Sequence, residues 1–194
     1  MDIRLGTKQD ARQIAELHKH EIASGFLASL PVRFLAELYK GIMAFPGGFC
    51  VVAAEDEEVI GFVAGITNVK SFYKYFLTHA FHAGVFLLPL IIHVGSIKRI
   101  IENLFYPVKT ENLPQAELLS IAVKHTYQGK GIAPQMFPSF LEEMRERNVG
   151  SFKLVVGQEL AHAIRLYEKL GFRFARSIVI HGGEQSKVYI YDIS

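Results

Sequence analysis

The chain is short of cysteine and of net charge, and both shortages narrow what it can do. Its 194 residues include one cysteine, Cys50, so no internal disulfide can form. Inside the apolar run FCVVAA, Cys50 reads as a small buried hydrophobe, not a nucleophile. A reducing, cytoplasmic setting fits that usage. Lys and Arg number 21 against 19 Asp and Glu, a net charge of +2. Nothing here is the concentrated basic face that nucleic acid requires. Internal repeats and low-complexity linkers are missing, and the polar start MDIRLGTKQD carries no apolar signal segment.

Charge is also missing from 75–97, YFLTHAFHAGVFLLPLIIHVGSI, which holds no Asp, Glu, Lys or Arg. By length it could span a bilayer. However, the β-rich flanks belong to one sheet, and His79, His82, His93 and Pro89 make a poor lone span. A helical hairpin packed on the domain is the expectation, with peripheral membrane contact through 72–99 open because Lys98, Arg99 and Lys109 lie near its end. His79 and His82, three apart, would share a helix face, yet no carboxylate or cysteine lies close in sequence, so no metal is expected.

What the chain does have is enough apolar residue, 50% against 21% charged, to bury a core and exclude disorder. One domain over 1–194 is expected. DIRLGT reads as a first strand, with Thr7 capping a helix over about 8–24 and Pro31 opening a second over about 31–44. GFCVVAAE and EVIGFVAGI form a hairpin around an acidic turn. A long apolar segment, 70–113, then interrupts the β pattern. AELLSIAVK, FKLVVG, FRFARSIVI and KVYIYDI are strands, and helices fall at about 131–148 and over LAHAIRLYEKLG, closed by Gly171. Pro138 should kink the first of these or delay its start. The order β-α-α-β-β-insertion-β-α-β-α-β-β implies an α/β protein with a mixed sheet and helices on its faces.

The sharpest local feature is the passage from the strand LLSIAV into QGKGIA and then a helix. Helix starts expose unpaired N–H groups and partial positive charge. Glycines permit positive φ and close approach of a ligand. A pyrophosphate cradle is therefore one reading and a tight strand-to-helix turn the other. Lys130 is followed by Gly131, so this is no Walker A loop, and Pro134 rules out a dinucleotide G-x-G-x-x-G.

LLSIAVKHTYQGKGIA resembles motif A of the GNAT-type acyl-CoA N-acetyltransferases, Arg/Gln-x-x-Gly-x-Gly/Ala, with Gln128, Gly131 and Ala133 in the defined positions. AIRLYEKLGF, about thirty residues on, resembles motif B of that family, with Tyr167 and Gly171-Phe172 in place. The resemblance covers 1–69 and 114–194. It implies the α+β variant of the fold, with a mostly antiparallel central sheet flanked by helices and 70–113 as a helical insertion. It further implies acetyl-CoA as acyl donor, its pyrophosphate on Gln128, Gly129, Lys130, Gly131, Ile132 and Ala133, and its pantetheine arm along Ile121, Ala122 and Val123. Direct transfer to a primary amine of a small molecule or peptide would follow, with Tyr167 as general acid. Glu117, on the same strand face as Leu119, is the candidate base, its alternative being an exposed strand-end carboxylate. Leu160 stands where motif B often has a cofactor-holding Asn. A non-catalytic coenzyme A-binding or scaffold protein is the rival reading.

His18 and His20 fall on different sides of their helix and read as solvated, and His125 reads as a loop residue. The insertion, with Phe72, Tyr73, Phe76, Phe81, Phe86, Leu87 and Leu88, would wall an acceptor pocket, make a homodimer contact, or both.

Overall fold

The computed structural model describes residues 1–22, 27–79, 112–179 and 185–193. Along the chain run β1 (Asp2–Leu5), α1 (Ala11–Glu21), α2 (Val32–Ala44), β2 (Gly48–Glu55), β3 (Glu58–Ile66) and α3 (Val69–His79). There follow β4 (Ala116–Val123), α4 (Ile132–Glu146), β5 (Ser151–Gly157), α5 (Ala161–Lys169), β6 (Arg173–Val179) and β7 (Gln185–Asp192). Short 3-10 turns occupy Leu27–Ser29 and His125–Tyr127. The order expected from the sequence is the order found.

Seven strands form one sheet in the order β1-β2-β3-β4-β5-β7-β6. Every pairing is antiparallel except β4 with β5. One face of the sheet packs Cys50, Val52, Phe62 and Ala122 against α1, α2 and α3. The other packs Phe49, Val63, Leu118, Phe152 and Tyr189 against α4 and α5. That double burial explains the unbroken apolar runs of β2 and β3, where a half-solvated strand would alternate. Cys50 is fully buried, and burial pushes its thiol above the ordinary range.

Several sequence expectations change in detail. Helix α1 begins at Ala11 rather than 8, because Thr7 turns back on Asp10. The Asp10 carboxylate accepts from the Thr7 N–H at 2.7 Å and the Thr7 hydroxyl at 3.0 Å. Arg4 grips the same carboxylate with two bonds of 2.9 Å. Pro138 neither breaks nor delays α4. Pro134 and Pro138 both lie on the exposed side, where water can answer the Pro134 carbonyl that loses its helical partner.

Phe72 and Phe76 do not line an open wall. Both are buried in the core under α2, edge-on to Phe45 and Phe34 respectively. The first helix of the expected insertion is thus part of the core; 80–111, with His82, Phe81, Phe86, Leu87 and Leu88, lies outside the described residues. Among those described, no helix is long and apolar enough to cross a membrane.

His18 is the largest correction. It is not solvated but 2% exposed, with its ring roughly parallel to that of Phe62. Its position among Ile14, Ala15 and Leu17 turns it to the sheet, and Tyr39 accommodates its polar edge. Burial, and secondarily the charge of Lys19, lowers its pKa from 6.5 to about 4. Between those values the unfolded chain takes up a proton that the folded chain refuses. Stability is therefore full above pH 6.5 and is lost as pH falls towards 4, by about 3 kcal/mol in total. Melting temperatures measured from about pH 7 to about pH 4 should show this slope, and a His18→Gln variant should flatten it.

Candidate active site

Strands β4 and β5 pair over two positions only, Ala116 with Phe152 and Glu117 with Lys153. Beyond them β4 continues for six residues to Val123 without β5 beside it. One backbone edge of Leu118 to Val123 therefore faces a wedge instead of a ladder partner. On its other edge β4 pairs with β3, but the register slips between Ala64 and Gly65 so that Leu119 has no partner. This is a β-bulge, which bends the strand and redirects its side chains. It leaves Leu119 without a ladder partner on either edge.

At the open end of the wedge the chain turns into α4. Gly129 and Gly131 both adopt left-handed conformations, with φ of 75° and 77°. An added Cβ at Gly129 would meet nothing, and one at Gly131 only Gln135 at 3.8 Å. Neither glycine is there for want of space; the requirement is φ, and the turn it makes exposes backbone. Among the described residues, no backbone acceptor is bonded by the N–H of Gly129, Lys130 or Gly131. Three adjacent unpaired donors at the start of a helix are a geometry suited to an anion. Gln128 closes the turn from below, its amide donating to the Val123 carbonyl at 2.9 Å and to Glu21 at 3.1 Å. Glu21 also accepts from the His125 N–H at 2.9 Å, tying the end of α1 to the turn. His125 itself is exposed.

Lys130 lies with its ammonium 4.7 Å from the Tyr127 ring centre, and the Tyr127 hydroxyl donates to Glu55 at 2.7 Å. A cleft of about 520 Å³ lined by Glu55, Tyr127, Lys130 and Gln135 opens there. It flanks the turn and includes no residue of the β4 edge.

At the closed end sits Glu117. It is not an exposed strand-end carboxylate: its side chain is 18% exposed and lies 3.2 Å from the ammonium of Lys153. Lys153, 5% exposed, also donates to the Pro114 carbonyl at 2.7 Å. Burial raises the pKa of Glu117 above the ordinary carboxylate value, and Lys153 opposes that rise. Desolvation wins, as expected for a carboxylate with a single cationic partner. Glu117 also raises the pKa of Tyr73 on α3, beyond what burial alone does. Because Ala116 and Leu118 face α4 and α5, Glu117 faces the α1–α3 side.

Tyr167 is on the opposite side. It is buried with Phe172, ring centres 5.7 Å apart, and burial raises its pKa to about 12. Its hydroxyl is a proton donor throughout the physiological range. Leu160 forms the start of α5 with no side-chain cap and is 37% exposed. Among the described residues no three His, Cys, Asp or Glu side chains converge on a common point.

Sequence reading missed Lys153, Glu21 and the pair Tyr39–Ser120. Lys153 carried one available signal, a lone lysine inside the apolar strand FKLVVG.

Comparison with known proteins bears on this geometry. A segment of 63 residues is 38% identical to the [ribosomal protein bS18]-alanine N-acetyltransferase of Escherichia coli K12, covering 32% of this chain and 43% of that one. The aligned part is thus less than half of the relative's length. Among solved structures, the ribosomal-protein-alanine N-acetyltransferase of Brucella melitensis superposes with a TM-score of 0.65 at 16% identity, over 99% of both chains. The Salmonella typhimurium protein yncA, solved with its cofactor acetyl-CoA, gives 0.65 at 15% identity over 100% of this chain and 94% of that one. At such identity these two speak for the fold. The family profile reaches further, since that of the Acetyltransferase (GNAT) family matches residues 14–172. Strands β2 to β5, the wedge and the glycine turn all lie within that span, and this chain belongs to the GNAT acetyltransferase family.

Proposed function

We propose that the protein is an acetyl-CoA-dependent N-acetyltransferase that moves the acetyl group directly from the thioester to a primary amine. The observation that carries this reading is the free backbone edge of β4 followed, at the start of α4, by a glycine turn with three unpaired N–H groups. An amide-bearing pantetheine arm can complete the free edge of β4 as a strand would. A diphosphate matches three N–H donors at a helix start, where neither a metal nor a dedicated cation is required.

The two candidate proton carriers approach from opposite faces of the sheet. The acceptor amine attacks the thioester carbonyl carbon, a C–N bond forms, and the C–S bond breaks. Glu117, on the α1–α3 side, takes a proton from the amine directly or through water. Its pKa, raised by burial against the opposing charge of Lys153, makes it a stronger base than an ordinary carboxylate. Tyr167, on the α4–α5 side, gives a proton to the departing thiolate. The bS18-alanine enzyme of Escherichia coli makes peptides beginning with alanine a sensible inclusion among the amines tested.

Release of free thiol from acetyl-CoA with a panel of amines and peptides is the deciding experiment. Coenzyme A binding without turnover of any amine would leave a binding protein of this fold. Gly131→Glu should abolish coenzyme A binding in calorimetry while the circular dichroism spectrum persists, since the substitution puts a carboxylate and a strained φ into the turn. Tyr167→Phe should lower kcat by about 10²–10⁴-fold with little change in coenzyme A affinity. For Glu117→Gln, the fall of kcat/KM on the acid side, expected above the ordinary carboxylate range, should disappear along with most of the rate.

A further inference from the structure

A hydrogen-bonded chain runs from inside α1 to the bulge of β4. The Nδ1 atom of His18 is 2.6 Å from the Tyr39 hydroxyl, and that hydroxyl is 2.9 Å from Oγ of Ser120. Tyr39 is 1% exposed and stands edge-on to Phe62. The three residues come from α1, α2 and β4. Ser120 directly follows Leu119, the residue without a partner on β3.

Backbone support is thin at the bulge. Leu118 to Ser120 has lost β5 on one edge, and the ladder to β3 is interrupted on the other. From pyrophosphate to sulfur, the pantetheine arm is about 13 bonds long, or roughly four to five extended residues. Measured back from the turn along β4, its thioester comes to lie beside that same segment. Resting on the acetyl-transfer reading above, we propose that His18 and Tyr39 act through Ser120 as positioning residues, pinning the bulge to the helical layer in place of the missing ladder bonds.

The relay has a direction. A neutral imidazole carries one proton, and Nε2 of His18 is buried with no hydrogen-bond partner. A bare lone pair there is less costly to bury than an unanswered N–H. Nδ1 therefore holds the proton and donates to Tyr39, and Tyr39 donates to Ser120. The Ser120 oxygen is an acceptor in this arrangement. Each group in the relay then has one orientation, as a device for fixing backbone needs.

The test uses the full chain and three kinds of variant. Tyr39→Phe and Ser120→Ala each cut the relay, and Ser120→Thr keeps the hydroxyl. Coenzyme A affinity should change far less than turnover in any of them, because the glycine turn is untouched. Either cut should lower kcat by about 10–100-fold with a much smaller change in KM for acetyl-CoA, and the double variant should be no slower than the worse single one. Ser120→Thr should restore most of the rate. Wild-type kcat in Tyr39→Phe, or losses that multiply in the double variant, would overturn the proposal. Amide hydrogen exchange at Leu119, Ser120 and Ile121, with coenzyme A present, reads the relay without turnover. It should speed up about tenfold in either cut variant, and unchanged exchange would count against the relay on its own. A wild-type protein that releases no thiol fails the acetyl-transfer reading instead, and the exchange result then stands alone.

Discussion

The separation of β4 from β5 after two paired residues is the constraint on which the rest depends. Parallel neighbours in a sheet normally stay paired because unpaired backbone in a protein interior is costly. Here that cost is incurred along six residues of β4, in the middle of a seven-stranded sheet and not at its edge. Helices on both faces hold the strands in place despite the gap: α4 lies across β2 and β3, and the Phe137, Phe140, Phe152 and Phe172 cluster ties α4 to β5 and the α5 end. Packing on both faces thus spans the gap, and the backbone edge it leaves on β4 can pair with a strand-like ligand.

Ionisable groups around the opening are arranged to stay inside the fold without full charge separation. Glu117 and Lys153 are directly opposite each other at the last paired position, so each has its counterion before the strands part. An unpaired Glu117 at that depth would be forced neutral. A fully satisfied one would lose its basicity. With one cation and heavy desolvation, its pKa is raised above the ordinary carboxylate value, the direction in which a general base is tuned. Tyr167 reaches its own condition by burial alone. His18 is held neutral by the same means, and as a neutral ring it can serve as a fixed donor.

How much of this was legible in the sequence depends on how far apart the interacting residues lie. The glycine turn was readable because Gln128, Gly131 and the apolar strand before them are contiguous, and left-handed φ is a local demand. The element order was readable because caps, prolines and periodicity are also local. The relay was not, since Tyr39 meets Ser120 across 81 residues. Nor was the tie of Glu21 to His125, which spans 104. His18 misled for a related reason: on a helical wheel a histidine beside Lys19 and His20 reads as surface, and only the presence of Tyr39 makes its burial tolerable. The counterion of Glu117 was equally hidden, because Lys153 lies on a strand that the sequence places after an intervening helix.

The segment after β3 shows how packing can override a boundary drawn from composition. Its apolar richness suggested an addition to the fold that begins at about 70. Yet Phe72 and Phe76 fill the core under α2, and at Gly41 a side chain would collide with the Phe76 ring at 2.7 Å. Helices α2 and α3 approach through that bare position. The same helix carries Tyr73, whose interaction with Glu117 brings α3 to the closed end of the wedge, and Val69 donates its N–H to the Gln115 carbonyl just ahead of β4. Thus α3 is fastened at its start to the strand that bears the candidate base and along its length to the helix that bears Tyr39. A deletion that begins at about 70 would therefore strip Phe72 and Phe76 from the core, so the role of the residues after α3 can be tested only by changes that leave α3 in place.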